Sequence, residues 1–209
     1  MISLSHNLTL EIMRKKRFSA YMKILFLTLF FMCLVQLVSA PTKDFTLRTL
    51  MIRNAMKYLE NRHHELEFLR FINDLGRRES GNNWQCVNII GCFGEWQFAE
   101  STIQFLGFKN VTLKKFRANP YIFPRELQWK VLESLIKVNL VLMKDYEHFI
   151  GDTIKGVPIT KSGMIAAAHL GGARSVKLFL TSDGRLDKED VLGTAVSNYM
   201  KRFSFYDIN

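Results

Sequence analysis

From position 47 onward the apolar residues recur at helical spacing. Leu47, Met51, Ile52, Met56 and Leu59 predict a first helix, and Leu66, Leu69, Ile72 and Leu75 predict a second over 65–79. Gly81-Asn82-Asn83, a run of turn formers, must stop it. Between Trp84 and Gln97 the period changes, with Val87, Ile89 and Ile90 followed by Gly91 and Gly94, so this segment reads as a loop with a small hairpin. Helix returns over 99–106 and ends before Gly107. Pro124, after the extended Asn119-Pro120-Tyr121, suits a first helical turn. Leu127, Val131, Leu135, Val138 and Leu142 carry that helix to about Phe149, where Gly151 closes it. Thr160 is a natural N-cap for a helix through Ala166-Ala167-Ala168, which Gly171-Gly172 ends or kinks before a further helical stretch over 173–180. A last helix, opened by Thr194, places Val196, Tyr199, Met200 and Phe203 on one face. The pattern therefore predicts a mainly α chain: a single helical domain over 41–209 with a small β-hairpin insertion after its second helix.

Positions 1–40 do not share this pattern. Arg14-Lys15-Lys16-Arg17 is a basic cluster, and Lys23 directly precedes an apolar run over 24–38 interrupted only by Thr28 and Gln36. That run is shorter than the roughly 20 residues of a bilayer-spanning helix. With its basic flank and the small residues Ser39-Ala40 at its end, it has the form of an export signal, and Met22 is an alternative start. Pro41 follows Ala40 and fits a peptidase site poorly, so an uncleaved membrane anchor through 24–38 is the alternative. Both readings place the remainder beyond a membrane, in the periplasm or cell envelope, either released or anchored to the inner membrane.

Charge narrows the partners. The chain holds 29 Lys+Arg and 19 Asp+Glu, and beyond position 40 the balance is 24 against 18, a net of +6. A modest positive charge favours anionic partners such as the acidic polymers of a bacterial wall. No dense Lys/Arg block indicates nucleic acid. Cys33 lies in the apolar run, leaving Cys86 and Cys92 as an even pair for a disulfide in an exported chain, or as two buried thiols. His63-His64 are adjacent and have no cysteine or carboxylate at a metal-ligand interval, and no phosphate loop occurs, so neither metal nor cofactor is expected.

The segment richest in chemistry is Glu79-Ser80-Gly81-Asn82-Asn83-Trp84, followed by Gly91-Cys92-Phe93-Gly94-Glu95-Trp96-Gln97-Phe98. A carboxyl in the last turn of a helix faces unpaired carbonyls and the negative end of the helix dipole, which opposes its charge. Kept protonated near neutrality, such a group can act as a general acid. By position alone, however, a glutamate there is more often structural or solvated.

Glu79-Ser80 followed by Gly91-x-x-Gly94-x-x-Gln97 resembles the signature of the lysozyme-like lytic transglycosylase domains. Further along, the run from Met164 to Val176, containing Ala168-His169-Leu170-Gly171-Gly172, is similar to the family stretch Ala-Tyr-Asn-x-Gly with its later valine. Tyr199 stands where the family often has an active-site tyrosine. Together the three matches span about 66–205. Lysozyme-like domains of phage tails and bacterial cell-wall enzymes resemble the chain in the Ala-His-Leu-Gly-Gly run itself. The sequence departs from the common pattern at His169, in place of tyrosine, and at Leu170, in place of an asparagine whose hydrogen bonds leucine cannot make.

The resemblance implies a lysozyme-like α+β fold acting, as a monomer, on peptidoglycan glycan strands. Glu79 would be the single acid/base that cleaves the bond between N-acetylmuramic acid and N-acetylglucosamine, closing a 1,6-anhydro ring. Ser80, Gln97, Phe98, His169 and Tyr199 would contact the substrate, and Gly91 and Gly94 would let the backbone approach it. His169 can instead be a core residue under the hairpin. Hydrolysis with a second carboxylate, Glu95 or Glu100, is one alternative outcome. A wall-binding scaffold without turnover is the alternative that Leu170 favours.

Overall fold

The computed structural model describes residues 28, 30–34 and 45–208. The basic cluster at 14–17, most of the apolar run over 24–38 and its end at 39–40 lie outside these residues. The chain divides into two compact units, Met1–Leu59 and Glu60–Asn209.

Phe45–Ser80 form one helix, α1, where the apolar pattern predicted two. The intervening Glu60-Asn61-Arg62-His63-His64 holds neither glycine nor proline, so nothing interrupts the ladder, and Arg62 pairs with Glu65 at 2.6 Å along it. The buried face differs too. Phe71, Ile72 and Leu75 are buried, whereas Leu66 and Leu69 are 52% and 47% exposed. At the C-terminus Gly81 N–H donates to Arg77 O and Asn82 N–H to Gly76 O, each at 3.1 Å, which occupies carbonyls that a helix end leaves open.

Next come α2 (Glu100–Phe105), α3 (Leu113–Ala118) and a 3₁₀ turn, Pro120–Ile122. Helix α4 covers Arg125–Met143 and tightens into 3₁₀ turns over Lys144–Phe149, so the α-helix ends earlier than its apolar pattern predicted. Its buried positions are Gln128, Val131, Leu132, Ile136, Asn139 and Met143, one position on from the predicted stripe. Two polar residues on that face are what disguise it.

The strands β1 (Thr153–Ile154) and β2 (Val157–Pro158) pair antiparallel in the register Thr153↔Pro158 and Ile154↔Val157. Lys155 and Gly156 join them with φ of 48° and 75°, the positive values that a two-residue hairpin turn requires. This hairpin therefore precedes the central helix and does not follow α1. The segment after α1 makes only the isolated bridges Val87↔Phe93 and Phe93↔Phe98.

Helix α5 (Lys161–Thr181) opens with Thr160 accepting from Gly163 N–H, as expected, and bends at Gly172, which sits at φ 76° and ψ 157°. Every residue from Ser162 to Ala168 is buried. A helix apolar on all sides belongs in the core, and its three consecutive alanines let α4 and α6 (Val196–Arg202) pack closely on it. Thr194 does not cap α6; its N–H goes to Asp190 Oδ1 at 2.7 Å, so it belongs to the preceding turn. Val196, Tyr199, Met200 and Phe203 share the buried face predicted for them. The described chain is mainly helical with one two-stranded sheet.

Candidate active site

Glu79 lies half-buried in the last turn of α1, and α6 brings Tyr199 to it. The Tyr199 hydroxyl donates to Glu79 Oε1 at 2.6 Å. Burial, the charge of Glu79 and this hydrogen bond together push the Tyr199 hydroxyl far above the ordinary tyrosine range, which keeps it a proton donor. The Arg78 guanidinium sits 5.9 Å from the centre of the Tyr199 ring.

Around this pair opens a cleft of ≈ 390 Å³. One wall is the loop after α1, through Asn88, Ile90, Cys92 and Gln97; His169 and Leu170 of α5 line it; the far wall is Asp190, Val191, Leu192 and Thr194. Ile90, Val191 and Leu192 are exposed apolar residues on the two sides of the opening. The structure therefore brings Glu79, Gln97, His169 and Tyr199 together and keeps Ser80, Phe98 and Glu95 away from the cleft.

Each displaced residue has another task. Ser80 Oγ donates to Glu95 O at 2.7 Å and accepts from Asn83 N–H at 3.0 Å, so it ties the loop to the helix end and does not reach into the cleft. Phe98 is 2% exposed and packs among Trp96, Phe123 and His169. Glu95, the alternative second carboxylate, is 1% exposed and held by both arms of Arg125, at 2.6 and 2.7 Å. Glu100 is likewise engaged, accepting from Gln104 and from Leu113 N–H. Asp190 is the carboxylate that shares the cleft with Glu79, and its Oδ1 already accepts from Leu192 and Thr194 N–H.

The two retained loop-facing residues are also bonded to the main chain of the loop. His169 Nε2 donates to Trp96 O at 2.8 Å and not to Glu79, while its buried Nδ1 has no partner among the described residues. A carbonyl can only accept, so the proton sits on Nε2 and the ring supports the loop from beneath. We expect His169→Ala to cost roughly 1–3 kcal/mol of stability in urea denaturation, the usual cost of a buried partner left unpaired. Gln97 Nε2 donates to Gly94 O at 2.7 Å, and Gln97 Oε1 is buried with no partner among the described residues.

Cys86 and Cys92 are free thiols, so no disulfide closes the segment. Main-chain bonds close it: Asn88 N–H donates to Cys92 O and Gly94 N–H to Cys86 O, both at 2.9 Å. Asn88 Oδ1 adds two more, from Ile90 and Cys92 N–H. Burial raises the Cys92 thiol above its ordinary range, Asn88 partly opposes this, and the charge of Glu79 adds to it.

The residue that most shapes the loop is Gln128, which the apolar pattern did not single out. It is fully buried; its Oε1 accepts from Glu95 N–H at 2.6 Å, and its Nε2 donates to Trp84 O at 2.8 Å and Phe123 O at 2.7 Å. Gly94, at φ +89°, leaves the room this amide needs: a Cβ there would stand 2.6 Å from Gln128 Oε1. The glycine thus admits a side chain of α4. The sequence signal was a lone glutamine one position off an apolar stripe.

Tyr206 repeats the Tyr199 arrangement, donating to Asp74 Oδ2 at 2.6 Å, and burial and that bond raise its hydroxyl as well. Groups raised in the folded state favour the fold while protonated. The contribution of the two tyrosines to stability is therefore level below the unfolded tyrosine value of about 10 and falls as pH climbs above it. Thermal melts over pH 8–11.5 should show that decline above about 10, added to a smaller one that the Cys92 thiol starts near about 8.5; a profile no steeper above 10 than below it would mean the hydroxyls are not held.

No family model, curated protein or solved structure matches the chain.

Proposed function

We propose that the protein cleaves peptidoglycan glycan strands between N-acetylmuramic acid and N-acetylglucosamine, as a lysozyme-like lytic transglycosylase of the cell envelope with Glu79 as its single acid/base. The observation that carries this reading is the carboxyl at the helix end, gripped through one oxygen by Tyr199 and open to a cleft of ≈ 390 Å³. Tyr199 donates to Oε1, so Oε2 is the oxygen through which Glu79, as the acid, gives up a proton. That proton passes to the bridging oxygen as the bond to the muramic C1 breaks. The sugar's own acetamide oxygen stabilises the cationic C1, which removes the need for a second carboxylate. Glu79, now a carboxylate, takes the proton from the 6-hydroxyl as O6 bonds to C1. The 1,6-anhydro ring closes and Glu79 is again protonated, so atoms and charge balance over one turnover.

Glu95 and Glu100 are spent in structural bonds, which supports the single-carboxylate route over hydrolysis through either. Leu170 on the cleft wall favours the other reading, a wall-binding scaffold. Incubating the purified protein with insoluble peptidoglycan separates the two. Turnover predicts falling turbidity and soluble muropeptides, while a scaffold would sediment with the wall and release nothing.

A further inference from the structure

A second hollow, of ≈ 420 Å³, lies on the other side of Arg78. Arg77 and Arg78 of α1 and Arg202 of α6 converge on it, with Phe205, 66% exposed, beside them. One carboxylate shares the hollow, and it is already occupied: Asp74 accepts the Tyr206 hydroxyl on Oδ2 at 2.6 Å and pairs through Oδ1 with Arg77 at 3.3 Å. Among the described residues neither Arg78 nor Arg202 has a carboxylate within ion-pair distance. Three guanidinium groups facing one hollow with a single, already engaged counter-charge make a site of positive potential, and arginine forks match carboxylates geometrically. Arg78 also lines the Glu79 cleft, so the two hollows share a wall.

We infer that this hollow is a subsite for the carboxylates of the peptide branch that the muramic sugar carries. The inference rests on the reading of Glu79 as the group that cleaves the wall glycan. A neutral polysaccharide gives three arginines nothing to bind. In peptidoglycan the muramic sugar bears a short peptide with free carboxylates, attached close to the bond that is cut. A strand seated with that bond at Glu79 would direct the branch past Arg78 and into the basic hollow.

Binding without turnover tests this directly. Full-length Glu79→Gln protein is titrated with two preparations of soluble glycan strands, one retaining its peptides and one stripped of them by an amidase, with the lactyl carboxylates so freed then converted to amides. The peptide-bearing strands should bind on the order of 10-fold tighter, the scale of one charge-assisted pair, and added salt should erode that preference. Adding Arg202→Gln should abolish the preference, and Arg202→Lys, which keeps the charge, should restore part of it. Equal affinity for the two preparations, or a preference that survives Arg202→Gln, would overturn the subsite while leaving the cleavage reading intact. Failure of both preparations to bind would remove the wall reading and the subsite with it.

Discussion

Glu79→Gln is expected to lower turnover at least ~100-fold, the usual scale for losing a general acid–base group. The substitution keeps the shape of the side chain and its carbonyl-type oxygen, so Tyr199 retains an acceptor for the 2.6 Å bond it now gives to Oε1. What disappears is the exchangeable proton on the other arm. Glu79 is only half-buried and at a helix end, so the melting temperature and the affinity for glycan strands should stay close to those of the unaltered protein. Rates on soluble strands, melts and equilibrium binding together isolate the chemical step. A Glu79→Gln protein that still solubilises peptidoglycan at a normal rate removes Glu79 from the mechanism.

The largest expected loss of stability is at Gln128. Gln128→Met conserves length and volume but strands three groups at once: the buried Glu95 N–H and Phe123 O and the part-buried Trp84 O. Each unsatisfied buried group costs about 1–3 kcal/mol, and partial relaxation reduces the sum, so we expect a loss of about 3–4 kcal/mol. In a chain of this size that lowers Tm by roughly 10 °C. The loop that Gln128 holds presents Gln97 to the cleft, so strand affinity should weaken as well. Urea denaturation reads the first effect and binding the second. A loss under about 1 kcal/mol would mean that the loop stands without this amide.

How far these features were legible in the sequence depends on whether their signal was local. Thr160 as a cap, the bend at the glycine pair and the shared face of Val196, Tyr199, Met200 and Phe203 all follow from spacing and capping within a few residues, and the structure has them. The division of α1 into two helices was misread because the apolar pattern weakens across 60–64 while the backbone has no reason to break there. The buried face of α4 was misread by one position because two of its inward residues, Gln128 and Asn139, are polar. Periodicity cannot distinguish a buried amide with a full set of partners from a solvated one.

The same limit applies at the site. Glu79 was singled out through a motif of adjacent residues and Tyr199 through its place in the resemblance, and a hydrogen bond joins the two. Glu95 looked available as a second carboxylate because its partner, Arg125, is 30 residues away in sequence. Nothing in the sequence shows that Ser80 and His169 bond to backbone carbonyls of the loop, Glu95 O and Trp96 O, which any residue type would supply. Asp190, Val191 and Leu192 carry no motif at all; they reach the cleft only because a turn closed by Asp190 Oδ1 leads into α6. Local chemistry is readable from sequence, whereas long-range bonds to the main chain leave no residue-specific trace.

The most direct test is the mass of the new chain ends released from peptidoglycan by the unaltered protein. Transfer to the sugar's own 6-hydroxyl leaves 1,6-anhydro ends, lighter by one water than the reducing ends that hydrolysis leaves. With Glu79 acting alone, muropeptides ending in anhydro-muramic acid should accumulate from the first time point, and Glu79→Gln should release none. Reducing ends throughout, or no soluble fragment at all, would contradict it.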